Sequence, residues 1–343
     1  MSEQTRMTPE NTGSGKKGTV VAMGQPSGRK LFCPFPSAVH PSVERINAQS
    51  IAWAAALGLV TTEKQMRKMN TAKIGWLVSR AFPQGDEKAL QIASDWTVAF
   101  CLLDDVLETM QTSVEVDAYL GQVLNVFKGT MAAPAEPDAM LRAMLDLRER
   151  MLEVGGSHWV DLFIEQLGVL FICFGLEAVN RELGISPDVV SYLQMREVTV
   201  GLYLEFLFFD LIEGIRLPVE VRDHPAVRRL TSKASNIVGW ANDICTYEKE
   251  MEQGELHNLV LVLMKSENIP LAEAVDKAIY IHDSEVRAFR FMQRQVPSFG
   301  AELDAQIQQF IGMLSSWIRG HLDWAHETGR YRPSTDAMNA EAA

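Results

Sequence analysis

Apolar residues recur along this chain of 343 residues at intervals of three and four, the spacing that gathers them on one face of an α-helix. The pattern predicts helices over roughly 40–58, 63–82, 86–110, 115–129, 136–155, 157–183, 188–213, 223–250, 256–265, 270–295 and 299–327. Strand-like alternation is nearly absent, and no Gly-rich phosphate loop appears. The breaks fall at turn chemistry: Pro83-Gln-Gly-Asp86, Ala133-Pro-Ala-Glu-Pro137, Gly184-Ile-Ser-Pro187 and Gly214-Ile-Arg-Leu-Pro218. In the third break, Ser186 is expected to cap a helix whose first position is Pro187. The fold class read from this is all-α. No repeat or shift in composition marks an internal boundary, so one domain is expected over residues 30–333. Polar tails without stable structure are expected at 1–29 and 334–343.

Composition narrows the functional classes. The chain is 47% hydrophobic, enough for a large core, and carries a net charge of −12. That balance argues against nucleic acid or an anionic membrane surface as a partner. Cys33, Cys101, Cys173 and Cys245 are widely spaced, with no C-x-x-C, and are expected to be buried thiols of a cytoplasmic protein. The first residues lack the apolar core of a signal peptide. No unbroken run reaches the ~18 apolar residues of a membrane span; Leu167–Leu176 comes nearest, between Glu165 and Glu177.

Polar residues inside apolar helices carry the candidate chemistry. In Trp240-Ala-Asn-Asp-Ile-Cys-Thr-Tyr-Glu-Lys-Glu250, Asn242, Thr246 and Glu250 stand at i, i+4 and i+8. That spacing stacks an amide oxygen, a hydroxyl and a carboxylate on one helix face. All are hard oxygen donors of the kind Mg²⁺ prefers, and Mg²⁺ commonly shares its remaining positions with substrate phosphate. Lys249 is placed to reach the same phosphate. A solvated charged face is the plain alternative, but the flanking Ile237, Val238, Trp240, Ile244 and Cys245 predict burial, and buried polar groups need partners.

A second cluster ends the 86–110 segment: Trp96-Thr-Val-Ala-Phe-Cys-Leu-Leu-Asp104-Asp105-Val-Leu-Glu108. Asp104 and Glu108 share a face, while Asp105 is turned about 100° away. Three acids after an apolar run are costly to bury unless cations neutralise them; their alternative reading is a helix end that meets water. Arg196 lies amid apolar residues, either snorkelling, paired with Glu197 or Glu205, or donating to phosphate. The nearby Gly201 is a candidate helix break. The last punctuated stretch contains Gly329, a candidate helix C-cap, followed by Arg330-Tyr331.

Together these features resemble the bacterial class I terpene synthases. In that family an aspartate-rich motif and an N-D-x-x-[ST]-x-x-[KR]-E motif face each other across a cavity and hold Mg²⁺ against an isoprenoid diphosphate. The first motif is matched by Asp104, Asp105 and Glu108, with Glu where Asp is common. The second is matched by Asn242, Thr246, Lys249 and Glu250, with Thr where Ser is commoner. Arg196 stands at the interval of the family's diphosphate-sensing arginine, 46 positions before Asn242. Arg330-Tyr331 matches its C-terminal diphosphate-binding pair, and Pro34-Phe-Pro36, Ala81-Phe-Pro83 and Trp96 match further landmarks. The resemblance runs from about Phe32 to Pro333.

The resemblance implies a helical bundle around a central apolar cavity and three Mg²⁺ ions. Asp104, Asp105 and Glu108 would hold two of them and Asn242, Thr246 and Glu250 the third. Arg196, Lys249, Arg330 and Tyr331 would grip the diphosphate. It implies catalytic roles for Asp104, Arg196, Asn242, Thr246, Glu250, Arg330 and Tyr331, and a helix-break carbonyl from Thr199, Val200 or Gly201. An apolar cavity with aromatic faces suits a carbocation. Candidates for its walls are Phe100, Phe171, Phe174, Gly201, Tyr203, Phe206, Trp240, Trp317 and Trp324, with core packing as the alternative for each. The implied reaction is cyclisation of a linear prenyl diphosphate, farnesyl diphosphate by family frequency, to a sesquiterpene hydrocarbon or alcohol with release of diphosphate. Geranyl or geranylgeranyl diphosphate are alternative substrates. A chain-elongating prenyl diphosphate synthase would need a second D-D-x-x-D motif, and a helical interaction protein would have lost metal ligands. A homodimer is a family-level expectation.

Overall fold

The computed structural model describes residues 30–130 and 138–331. The tails expected at 1–29 and 334–343 and the break at 133–137 lie outside the described residues. Within them, every regular element is a helix, in the order α1 Val43–Ala56, α2 Glu63–Ala72, α3 Ile74–Ala81, α4 Glu87–Leu107, α5 Ser113–Lys128, α6 Ala139–Leu183, α7 Val189–Thr199, α8 Leu202–Ile212, α9 Val219–Arg222, α10 Pro225–Gln253, α11 Leu259–Glu267, α12 Leu271–Met292 and α13 Ala301–Glu327.

Local chemistry sets the boundaries. Thr62 and Thr112 head capping boxes with Gln65 and Glu115, which satisfy otherwise unpaired amides at the starts of α2 and α5. The expected cap at Ser186 is displaced by two residues. Asp188 accepts from the Ser191 amide at 2.9 Å, and α7 begins at Val189, leaving Pro187 outside the helix. A carboxylate satisfies helix amides and complements the dipole better than a hydroxyl.

Three predicted helices are bent or divided by single residues. The 63–82 segment splits at Lys73, whose φ of 51° redirects the chain from polar α2 into buried α3. The boundary between 136–155 and 157–183 is a kink at Gly156 within one long α6 (φ 74°). The 188–213 segment breaks at Gly201, φ 81°, between α7 and α8. A Cβ at Gly201 would stand 2.8 Å from the Phe100 ring, so both the backbone and the close approach require glycine. The one-turn α9 was not expected, because four residues are too few to display a helical period.

Helix α4 runs through the middle of the bundle against α1, α3, α6 and α8, and α10 packs on α7, α11, α12 and α13. Trp96 of α4 is 1% exposed and meets Phe163 of α6 edge-on at 4.9 Å. Phe82, after α3, contacts Phe209 of α8 and Trp317 of α13. None of the four cysteines forms a disulfide; Cys33 is buried as expected, whereas Cys101, Cys173 and Cys245 are half-buried.

Helix α6 holds no unbroken apolar run of ~18 residues, yet by length and mean hydropathy it could cross a membrane. An 18-residue window in it has a mean hydropathy of 1.9, and 39% of that window is buried in the bundle. The rule of an unbroken apolar run excluded it, whereas a mean tolerates isolated charges. Its inward residues Leu167, Leu170, Phe171 and Phe174 belong to the core, while Val169, Ile172, Leu176 and Leu183 are exposed.

The end of α13 also differs from expectation. Thr328, not Gly329, follows the helix, in extended conformation. Gly329 instead lies against α2: its amide donates to the Thr71 carbonyl at 2.7 Å, and a Cβ there would collide with Thr71 at 2.9 Å. The Trp324 indole and the Thr328 hydroxyl donate to the Ala72 carbonyl at 2.9 and 2.8 Å. These bonds anchor the segment that carries Arg330 and Tyr331.

Candidate active site

A cavity of about 540 Å³ opens among α4, α6, α7, α8, α10 and α13, within the size range of small-molecule sites. Along α4 its wall passes from Thr97 and Phe100 to Asp104 and Glu108, and along α10 from Val238 to Asn242 and Glu250. Both helices therefore run from an apolar floor to a polar mouth. At 1.5 Å per residue, the α4 wall spans about 16 Å.

At the mouth, Asp104 and Glu108 line the cavity together, as their i, i+4 spacing predicts, and Asp105 does not. Asp105 is turned outward to two cations, Lys68 at 3.0 Å and Arg330 at 3.0 Å. Arg330 reaches Asp104 only at 3.9 Å. The Asp104 side chain is 49% exposed, but that surface faces the interior of a concave site. Burial raises its pKa, with Arg330 opposing. Glu108 is raised by burial and then by the charges of Asp104 and Asp105; Lys249 of α10 opposes this. For Asp105, burial works upward, but Arg330 and Lys68 outweigh it and hold the carboxyl below the usual range.

On α10 the motif residues are bound into a network. Arg196 donates from Nη2 to Asn242 Oδ1 at 2.7 Å and from Nε to Asp243 Oδ1 at 3.0 Å. Asn242 in turn donates from Nδ2 to the Tyr331 hydroxyl, which lies 3.3 Å from His321 Nε2. Glu250 accepts from Asn258 Nδ2 at 2.8 Å. Its pKa is pushed up to about 7 by burial and then by the charge of Asp243. Thr246 is buried off the cavity wall, its hydroxyl donating to the Asn242 carbonyl at 2.9 Å. Lys249 is also off the wall.

The aromatic expectations divide. Phe100, Phe174, Trp317 and Trp324 line the cavity, as do Thr199, Val200 and Gly201. Tyr203, Phe206, Trp240 and Phe171 do not. Tyr203 turns back to donate its hydroxyl to Glu197 Oε1 and packs edge-on against Phe206. Trp240 and Phe171 are held in the core. Helical period places residues on a face but does not say which face meets the void.

Sequence reasoning named Glu197 or Glu205 as the structural partner of Arg196; the partner is Asp243. Asp243 is 1% exposed and is the hub of this end of α10. It accepts from Arg196, from the Tyr192 hydroxyl and from the Leu259 amide at 3.0 Å. Asn258 also donates to its carbonyl at 2.9 Å. The available signal was an acid between Trp240 and Ile244, which demands a cation. Glu177, Arg181, Glu255 and His257 complete the mouth and were not singled out. Glu255 is held near about 2: burial raises it, but bonds from His257 and the amides of Leu256 and His257 outweigh that.

The donor set suits a hard divalent cation. Asp104, Glu108, Asn242, Thr246 and Glu250 offer only oxygen, and the raised carboxyls at the mouth carry repulsion that a cation would relieve. The site is not preassembled: among the described residues no three His, Cys, Asp or Glu side chains converge to hold a metal. Oxygens of Asn242, Thr246 and Glu250 are held by protein partners that bound ions would displace.

An apolar, aromatic floor beneath a mouth of acids and guanidiniums suits a molecule with an anionic head and a greasy tail. Comparison with known proteins gives the family. Residues 95–288 match terpene synthase family 2, C-terminal metal binding. The chain is 32% identical over 316 residues to a (+)-T-muurolol synthase from Roseiflexus castenholzii, covering 91% of this chain and 96% of that one. It is 29% identical to a germacrene A synthase from Nostoc punctiforme, covering 88% and 94%. The crystal structure of a linalool/nerolidol synthase from Streptomyces clavuligerus shares the fold, with a TM-score of 0.76, 23% identity and coverage of 86% and 99%. The chain belongs to the terpene synthase family, whose members bind a divalent metal.

Proposed function

We propose that this protein is a Mg²⁺-dependent class I terpene cyclase, a carbon–oxygen lyase that ionises farnesyl diphosphate and closes the resulting cation to a sesquiterpene hydrocarbon or alcohol. The observation that carries the reading is one cavity with two chemistries. Oxygen-donor motifs from α4 and α10 share its mouth, and Phe100, Phe174, Trp317 and Trp324 share its walls. The R. castenholzii relative is named for cyclising (2E,6E)-farnesyl diphosphate, which supports the C15 substrate.

Asp104 and Glu108 on one side, and Asn242, Thr246 and Glu250 on the other, would hold three ions, while Asp105, expected among the ligands, is turned outward to Lys68 and Arg330. When bound, the ions neutralise the charge that builds on the leaving diphosphate. The chain's own residues do the rest. Arg196, Lys249, Arg330 and Tyr331 orient the diphosphate. Arg196 bonds both Asn242 and Asp243, so a phosphate that draws Arg196 also resets the α10 donors. Arg330 has donors to spare beyond its bond to Asp105, and Tyr331 joins the C-terminal segment to Asn242. The aromatic faces stabilise positive charge on the hydrocarbon, and the apolar floor keeps water from it.

The test is product analysis by gas chromatography–mass spectrometry after incubation with C10, C15 or C20 prenyl diphosphate, with Mg²⁺ or with EDTA. A cyclic C15 product formed only with Mg²⁺ is expected. A longer linear diphosphate, formed when isopentenyl diphosphate is added, would overturn the reading in favour of chain elongation.

A further inference from the structure

Glu205 is a carboxyl on the cavity wall that the diphosphate site does not use. It lies in the first turn of α8, just past the Gly201 break, and lines the cavity with Thr97 and Phe100. Thr97 is seven residues before Asp104 on α4, so the carboxyl stands at the apolar end, about 10 Å along the helix from the mouth. It is 5% exposed. Its Oε1 lies 2.9 Å from the Thr97 hydroxyl, and its Oε2 is buried with no hydrogen-bond partner among the described residues. Asp104, Asp105 and Asp243 each face a guanidinium; Glu205 has no ion pair among the described residues.

A buried carboxylate without a cation is costly, so the group takes up a proton. Burial pushes its pKa up to about 8, with only the Thr97 bond opposing. The Cys101 thiol, on which Glu205 acts, is pushed up to about 11 by burial and is neutral as well. The floor therefore holds a neutral carboxylic acid beside the space for the hydrocarbon.

We propose that Glu205 is a proton-transfer residue of the cyclisation, protonating a neutral cyclic alkene intermediate and later deprotonating the final carbocation. This rests on the cyclase reading above. The first cyclic cation loses a proton to the released diphosphate and becomes a neutral polyene. The Glu205 O–H bond then breaks as an alkene π pair takes the proton. A C–H bond forms, the neighbouring carbon becomes cationic and the carboxyl becomes a carboxylate. After further ring closure, the carboxylate removes a proton from the carbon beside the final cation. That C–H pair becomes the product double bond, and the acid is restored.

Thr97 suits this cycle. Its hydroxyl lies 2.8 Å from the Ala93 carbonyl as well as 2.9 Å from Glu205. Its single proton can serve Ala93 while Glu205 is an acid and turn to Glu205 while it is a carboxylate. The N-terminal dipole of α8 also favours that transient charge.

The experiment compares wild type and Glu205→Gln with farnesyl diphosphate in H₂O and in D₂O. Product formation in H₂O and release of diphosphate report the cyclase reading by themselves. Wild type in D₂O should give product one mass unit heavier. Glu205→Gln should release diphosphate within about threefold of wild type but end at an unlabelled neutral cyclic polyene, the reprotonated product falling ~10²-fold or more. Unlabelled wild-type product in D₂O, or a variant with unchanged label and product, overturns the proposal. The infrared difference spectrum of the resting protein, wild type minus Glu205→Gln, needs no turnover. It should show a protonated-carboxyl band at neutral pH that shifts in D₂O, and its absence also overturns the proposal.

Discussion

The two acidic helix ends at the cavity mouth are built on opposite principles. At the end of α10 nearly every polar atom is held: Asn242 by Arg196 and Tyr331, Glu250 by Asn258, Thr246 by its own helix, and Asp243 by three donors. At the end of α4, Asp104 and Glu108 face the cavity with raised pKa values, Asp104 reaching Arg330 only at 3.9 Å, and only the outward Asp105 is tightly paired. The α10 side is a frame held by the protein's own hydrogen bonds. The α4 side stores unrelieved negative charge, so an arriving cation gains most there. Lys249, which acts on Glu108 from α10, already shows the sign of charge the α4 end lacks.

The sharpest way to break this contrast is to remove the hub. Asp243→Asn leaves Arg196 and Tyr192 without their charged partner in a buried site. Breaking one side of a buried pair typically costs about 3–5 kcal/mol. The midpoint of denaturant unfolding should fall clearly, and turnover should fall with it even where the protein is still folded. An unchanged midpoint would mean that the α10 end is not the frame described.

The next effect separates frame from chemistry. Asn242 contacts Arg196 and Tyr331 but lies half-buried at the cavity, so Asn242→Ala should leave circular dichroism and the unfolding midpoint close to wild type. Turnover should drop by ~10²–10³-fold, the scale of losing one organised polar contact to developing charge. Wild-type kinetics would refute the assignment of Asn242 to the metal site.

How much of this was visible in the sequence also follows the contrast. The α4 side was legible because an i, i+4 pair on a helix needs only the helical period to be placed, and Asp105 turns away as that period requires. The α10 motif was legible as a pattern, but its wiring was not. Arg196 finds Asp243 across 47 positions, a pairing that depends on how α7 crosses α10. Thr246 satisfies its own backbone, a choice the spacing does not reveal. Helix existence and most breaks were readable from period and from Gly and Pro. The Lys73 turn was not, since nothing in a lysine announces a positive φ. The split between wall and core aromatics, Trp317 against Trp240, is set by packing among several helices.

The smallest expected effect probes an exposed ion pair at the acidic end of α4. Lys68 Nζ bonds Asp105 at 3.0 Å, but its side chain is 64% exposed. Exposed pairs contribute only about 0–1 kcal/mol and weaken with salt. Arg330, half-buried and bonded to Asp105 through both terminal nitrogens, keeps that carboxylate oriented without the lysine. Lys68→Ala should therefore change turnover by less than about twofold, with the difference shrinking further as salt is raised. If steady-state kinetics instead showed a loss approaching that of Asn242→Ala, Asp105 would not be an outward anchor held by Arg330. The α4 side would then depend on an organised charge network much as the α10 side does, and the contrast between a fixed frame and an open, unrelieved acidic end would fail.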